Sequence, residues 1–142
     1  MQLELLTFCD AAAEYAGRLN ILGATDTIVV PAVPFRYPHC ALAVRVRAAR
    51  IEEGEHTVRL MIIDADGAPA LNVEGKVGVR FAGGHGGAGG FNGTAINLII
   101  NAQNLEFKEA GEYAIEVAVD GIQLGSSPFF VRLAEKPDKV TR

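Results

Sequence analysis

Between positions 83 and 93 the chain reads G-G-H-G-G-A-G-G-F-N-G, and Gly84, Gly86 and Gly89 take the spacing of a dinucleotide-binding fingerprint around His85. Such a fingerprint works because glycines let the backbone at a helix N-terminus approach a pyrophosphate, so it must follow a strand and open a helix. The residues after Gly93, Thr94-Ala95-Ile96-Asn97-Leu98-Ile99-Ile100, alternate as a strand instead, and no Gly-Lys-Ser/Thr follows to make a phosphate loop. The run is therefore expected to be the long, flexible tip of a β-hairpin joining strands near Leu71–Phe81 and Ala95–Asn101, with His85 solvated.

Four other residues carry nucleophile or metal-ligand potential from separate segments: Cys9, Asp10, His39 and Cys40. With His85 they are the candidates for a pocket. No C-x-x-C or H-x-x-x-H spacing joins them, so neither a zinc site nor a redox motif is indicated. His39 and Cys40 are neighbours and on a strand would face opposite ways, so at most one could share a site with Cys9. Buried cysteines behave mainly as small hydrophobes. Asp10 and Asp26 stand beside apolar segments and are candidates for buried, hydrogen-bonded carboxylates.

The remaining patterns favour structure over chemistry. Asp64-x-Asp66-Gly67 starts like a calcium loop, but Ala68 and Gly75 hold the positions where the fifth and twelfth ligands would fall. A hairpin turn with side-chain-to-backbone bonds is the expected reading. Ser126-Ser127 lacks the G-x-S-x-G elbow of a hydrolase nucleophile. Arg45, Arg47 and Arg59 would form a cationic stripe if strands 41–47 and 57–63 paired, with Glu52, Glu53 and Glu55 to offset it in an ion-paired face.

The elements that must position these residues are strands. Leu42, Val44 and Val46 alternate with Ala43, Arg45 and Arg47, and Val58, Leu60 and Ile62 repeat the pattern. Leu71 to Phe81, Ile96 to Ile100, Tyr113 to Val119 and Phe129 to Leu133 follow, with weaker strands at Leu3–Phe8, Arg18–Leu22 and Thr27–Val30. Asp120-Gly121 is a type I′ hairpin signal. Asp10 to Gly17 has an N-cap residue, an alanine run and a terminal glycine, so it is the one helical candidate, of two turns at most. The expected fold is an all-β, two-sheet antiparallel sandwich of about seven to nine strands with at most one short helix near residues 10–17. Residues 1–134 are read as one domain and 135–142 as a polar tail.

Two resemblances sharpen this. Glu109-Ala110-Gly111-Glu112-Tyr113-Ala114-Ile115 resembles the tyrosine corner of immunoglobulin-like sandwiches, with Ile115 where a cysteine often stands. With Asp120-Gly121 and Gly125-Ser126-Ser127-Pro128-Phe129, it resembles the closing hairpin of filamin-type immunoglobulin-like repeats over about 25 residues. The series Phe8-Cys9-Asp10-Ala11, Gly17-Arg18-Leu19, Asp26-Thr27-Ile28, Pro38-His39 and Gly54-Glu55-His56 is similar to a family of small uncharacterised bacterial proteins. That likeness implies a bacterial cytosolic protein and supplies no catalytic residues.

Composition narrows the function classes. A net charge of −4 and a pI near 5.3 argue against binding nucleic acid by phosphate neutralisation. No apolar run approaches the ~18 residues of a membrane span, and Glu4 interrupts an N-terminal stretch without a basic region, so neither an integral membrane protein nor a secretory signal is expected. Two cysteines outside any framework spacing fit free thiols in a reducing cytosol. The expectation is a non-enzymatic protein-interaction module without cofactor or metal, binding a protein partner or itself through strand edges, with no nucleic acid and no membrane. The rival is a small-ligand-binding protein or enzyme using residues 83–93 as a lid.

Overall fold

The computed structural model describes residues 1–81 and 93–135. Ten strands follow in order: β1 Gln2–Cys9, β2 Ala11–Tyr15, β3 Arg18–Leu22, β4 Thr27–Val30, β5 Phe35–Ala49, β6 Gly54–Asp64, β7 Pro69–Val79, β8 Gly93–Phe107, β9 Gly111–Val119 and β10 Ile122–Leu133. A 3₁₀ turn, Arg50–Glu52, joins β5 to β6.

Two sheets make the sandwich, one ordered β1-β5-β8 and the other β4-β10-β9-β6-β7. All pairs are antiparallel except β4, which adds to β10 in parallel. In the constant-type immunoglobulin fold, strands A, B, E and D form one sheet and C, F and G the other. Here β1, β5 and β8 stand for A, B and E, and β6, β9 and β10 for C, F and G. The fold is thus an immunoglobulin-like sandwich, and its expected strand count holds for the eight strands of the two sheets.

Alternation builds the core as the sequence implies. Tyr113, Ile115, Val117 and Val119 of β9 are buried, while Ala114, Glu116 and Ala118 between them are only half-buried. Phe8, Phe107 and Phe129 stack at the centre, with ring centroids 4.5 Å apart for Phe8–Phe129 and 5.8 Å for Phe107–Phe129. Tyr113 caps them, edge-on to Phe107.

The two longest strands change phase part-way along. Cys40 and Leu42 of β5 face the core together with Phe35 and Tyr37, and Ala102 of β8 faces it together with Leu105 and Phe107. Side chains two apart share a face, so each strand flips once, at Pro38 on β5 and at Asn104 on β8. Asn104 is left-handed, with φ 53°. Pairing holds on both sides of the flip, with Tyr37 opposite Leu105 and His39 opposite Gln103.

The helical expectation at residues 10–17 fails. Those residues form β2 and the turn into β3, and this two-stranded ribbon lies on the outer face of the first sheet. Ala12, Leu19 and Ile21 cover Cys9, Ala41 and Ala43 there. A two-turn helix is marginal alone, whereas the ribbon gains a buried apolar face from the small residues of β5.

The glycine-rich run is likewise not the tip of a hairpin. The strands that flank it, β7 and β8, belong to different sheets, β7 paired with β6 and β8 with β5. Residues 83–92 themselves, and the tail from residue 136, lie outside the described residues.

Candidate functional site

The candidate pocket residues do not converge. Cys9 is fully buried on the outer face of the first sheet under the ribbon, where its Sγ donates to the Ala41 carbonyl at 3.5 Å. Cys40 is buried in the inner core, on the other face of the same sheet. The two thiols are therefore on neighbouring strands yet point apart, and both are free. Burial, helped by the negative charge of Asp10, pushes the Cys9 thiol up, and burial first of all pushes Cys40 up to about 11. Neither is an activated nucleophile.

His39 is exposed, next to the phase change in β5. Asp10 is exposed too, where the Tyr37 hydroxyl donates to its Oδ1 at 3.4 Å. Asp26 is exposed and accepts from Thr27 Oγ1. The expectation that Asp10 and Asp26 are buried is corrected accordingly: both occupy turns at strand ends, where water solvates a carboxylate. His85 lies outside the described residues.

The cationic stripe also dissolves, because β5 and β6 sit in opposite sheets. Arg45 and Arg47 lie on the outer face of the first sheet, both bound to Glu4 of β1, at 3.2 and 3.1 Å. Arg59 of β6 instead donates to Asn72 of β7. The Asp64 turn behaves as read: its Oδ1 accepts from the backbone N–H of Asp66 and of Ala68. Among the described residues no group of three or more His, Cys, Asp and Glu is placed to hold a metal ion, and no helix is long and apolar enough to cross a membrane.

One polar cluster escaped the sequence reading. His56, at the start of β6, has Nδ1 2.6 Å from Asp120 Oδ2 in the β9–β10 turn and Nε2 2.5 Å from the Glu52 carbonyl. Asp120 Oδ1 also accepts from the Thr57 N–H at 2.9 Å. Glu52 accepts from the Met1 amine and from the Ala49 N–H. The Asp120 bond, then the Glu52 carbonyl, raises the His56 pKa, and the same bond lowers that of Asp120. Both ring nitrogens face acceptors, so the doubly protonated ring satisfies both. The cluster ties the 3₁₀ turn, β6 and the β9–β10 turn together. His56 and Asp120 lie 64 positions apart, so no local spacing signals the pair.

Four cavities among the described residues avoid Cys9, Asp10, His39 and Cys40. One beside His56 is apolar and about 10 Å³, room for about one water. Two of about 380 Å³ lie at the ends of the sandwich. The fourth, of about 170 Å³, runs between β7 and β8 and is lined by Val58, Leu60, Val73, Val77, Leu98 and Ile100. It marks where the sandwich is open. The opposite side is closed, with Leu3 of β1 packed on Gly125 of β10 so tightly that a Cβ there would stand 2.5 Å from Leu3 Cδ2.

Comparison with known proteins places this geometry. Residues 4–132 match the family model of DUF6941, a family of unknown function, and the chain belongs to that family. No curated protein matches it. Among solved structures, a β-glucosidase from Listeria innocua in complex with isofagomine aligns over 92% of this chain and 16% of its own, at 9% identity and a TM-score of 0.50. An alkylpurine DNA glycosylase from Pseudomonas fluorescens aligns over 92% and 30%, at 13% identity and a TM-score of 0.49. An immunoglobulin-like protein from Pseudomonas aeruginosa aligns over 92% and 95%, at 13% identity and a TM-score of 0.43. The chain thus spans less than a third of the glycosylase and of the glucosidase, and the likeness to the glucosidase is of fold alone.

Proposed function

We propose that this member of the DUF6941 family is a non-enzymatic interaction module that binds protein, its own copies included, by adding a strand to an open sheet edge. The observation that carries the reading is β8, a 15-residue edge strand with no described partner on its outer side. Such an edge presents a row of free N–H and C=O groups, and extended segments bind there through main-chain bonds. The dispersal of Cys9, Asp10, His39 and Cys40 over separate environments supports a binding role over a catalytic one. The rival reading, a ligand site beside Cys9, His39 or Cys40 closed by residues 83–93, has none of the four described cavities lined by those three residues to favour it.

The proposal includes a bacterial cytosol as its setting, supported by free, buried Cys9 and Cys40, which suit a reducing compartment, and by the sequence likeness. The likeness to filamin-type repeats rests on the β9–β10 hairpin, whose Asp120 and Gly121 both have positive φ.

The test is hydrogen exchange of the chain with a short alternating Thr–Val peptide flanked by lysines, a probe that offers a strand and little else. Saturable binding with slowed exchange along β8 is the expected result. No binding up to about millimolar peptide would overturn the reading.

A further inference from the structure

We infer that the occupant of the β8 edge is a second copy of this chain, paired antiparallel about a two-fold axis at Ile99 to give a continuous six-stranded sheet. The inference rests on the strand-edge reading above and commits it to one partner and one register.

The edge itself is the first observation. In constant-type immunoglobulin folds strand D pairs with strand E, and here the outer side of β8, the E equivalent, has no described partner. The segment that precedes β8 holds six glycines between positions 83 and 90, a composition poor in strand formers.

The other edges are guarded. β4 has four residues. β1 carries Glu4 and a register shift between Leu3 and Leu5. β7 starts with Pro69 and carries Glu74, Gly75, Lys76 and Gly78. Charges, prolines, bulges and short length are the devices that keep edges from pairing. From Thr94 to Gln103 β8 has none of them, no charge, no proline and no glycine, and its one irregularity, the left-handed Asn104, lies beyond that stretch.

The sequence of β8 is also self-complementary. Centred on Ile99, an antiparallel pair sets Ile99 against its own copy, Leu98 against Ile100, Asn97 against Asn101 and Ile96 against Ala102. Apolar meets apolar, and on the outer face Asn101 comes opposite Asn97, whose amide also donates to the Gly17 carbonyl and accepts from Arg45. The regular register ends with Ala95 against Gln103, before the left-handed Asn104 and before Glu106, the one charge in β8, so no like charges oppose. Leu98 and Ile100, half-buried at the β7–β8 cavity, gain cover from the second copy. A slip of one residue would set the apolar row against the amide row and lose both matches.

Sedimentation equilibrium of the native chain is the first measurement, and a reversible dimer at micromolar concentration is expected. The double variant Asn97→Asp/Asn101→Asp sets carboxylates opposite each other twice and is expected to weaken the dimer roughly tenfold or more. Asn97→Asp/Asn101→Lys sets opposite charges at the same two places and is expected to restore it. Equal behaviour of the two doubles, or a native chain that stays monomeric, overturns the pairing of copies. If the native chain is monomeric while the Thr–Val peptide still protects β8, only the second copy falls. If the peptide fails as well, the strand-edge reading falls with it.

Discussion

Nδ1 of His56 lies 2.6 Å from Oδ2 of Asp120, so the turn between β9 and β10 is tethered to the first residues of β6 by one imidazole. The groups facing the ring are Asp120, the Glu52 carbonyl and, through Glu52, the Met1 amine. The His56 pKa is raised above its ordinary 6.5, so its contribution is complete below about pH 6.5 and is lost as pH climbs through the higher folded value. The Asp120 pKa is lowered below 3.8, so its contribution is present above that and is lost as pH falls through the lower folded value. Between these limits the tether is strongest. Melting temperature is therefore expected to drop by a few degrees from pH 6 to pH 8.5, and His56→Gln to flatten that slope. An unchanged slope in the variant would assign the pH dependence elsewhere.

The Tyr113 hydroxyl donates to the Glu109 carbonyl at 2.6 Å, closing the corner where the chain passes from the first sheet to the second. Tyr113→Phe keeps the ring against Phe107 and removes only that bond. A loss of about 1 kcal/mol is expected, the ordinary net value of one hydrogen bond. Urea unfolding at constant m measures it. A neutral result would mean that the ring alone holds the corner.

Phe129 is completely buried between Phe8 and Phe107. Phe129→Ala is expected to cost about 3–5 kcal/mol, because close-packed neighbours on both sheets cannot collapse into the space. Ile122, 69% exposed, provides the contrast, and Ile122→Ala should stay within about 0.5 kcal/mol. Chemical denaturation of both variants separates core from surface. Similar losses would contradict the assigned core.

Nine strands were legible as period-two alternation, and Arg18–Leu22 and Thr27–Val30 even in their bounds. Alternation tells which side chains share a face but not which strand lies alongside. Alternation therefore leaves open whether β5 pairs with β6, the condition for the arginine stripe, and suggests a β7–β8 hairpin, whereas each pair is split between sheets. The segment 10–17, with β2 at Ala11–Tyr15, departs from the helical expectation for another reason. Its alanines favour a helix locally, and only the outer face of β5, distant in sequence, makes a strand the better solution. The His56–Asp120 tether and the opposed faces of Cys9 and Cys40 depend on the same long-range pairing.

Gly23 turns with φ +68°, and a Cβ there would stand 2.3 Å from Asp10 Oδ2. Gly23→Ala is strained twice, by the left-handed backbone and by the clash, and a loss of about 1–2 kcal/mol is expected. Gly17 has a similar φ, +72°, with no atom within 4 Å of its would-be Cβ, so Gly17→Ala isolates the backbone part at about 1 kcal/mol. Thermal melts of the pair test whether contact with Asp10 adds to the strain. Equal losses would place the whole cost in the backbone.

Cys9 and Cys40 are 0% and 1% exposed on opposite faces of one sheet. A thiol reagent must therefore wait for an opening, and the raised pKa of each thiol slows the reaction further once it opens. Native protein at neutral pH is expected to react negligibly over minutes and to yield two equivalents at once in denaturant. The openings need not be alike. Cys9 is covered by the two-stranded ribbon, whose release exposes one thiol without disrupting the sandwich core, whereas Cys40 requires the two sheets to part. Labelling of single variants Cys40→Ala and Cys9→Ala should then show Cys9 reacting faster, at a rate little affected by mild urea, and Cys40 tracking global unfolding. Identical rates and identical urea dependence would show that the ribbon and the sandwich open as one unit.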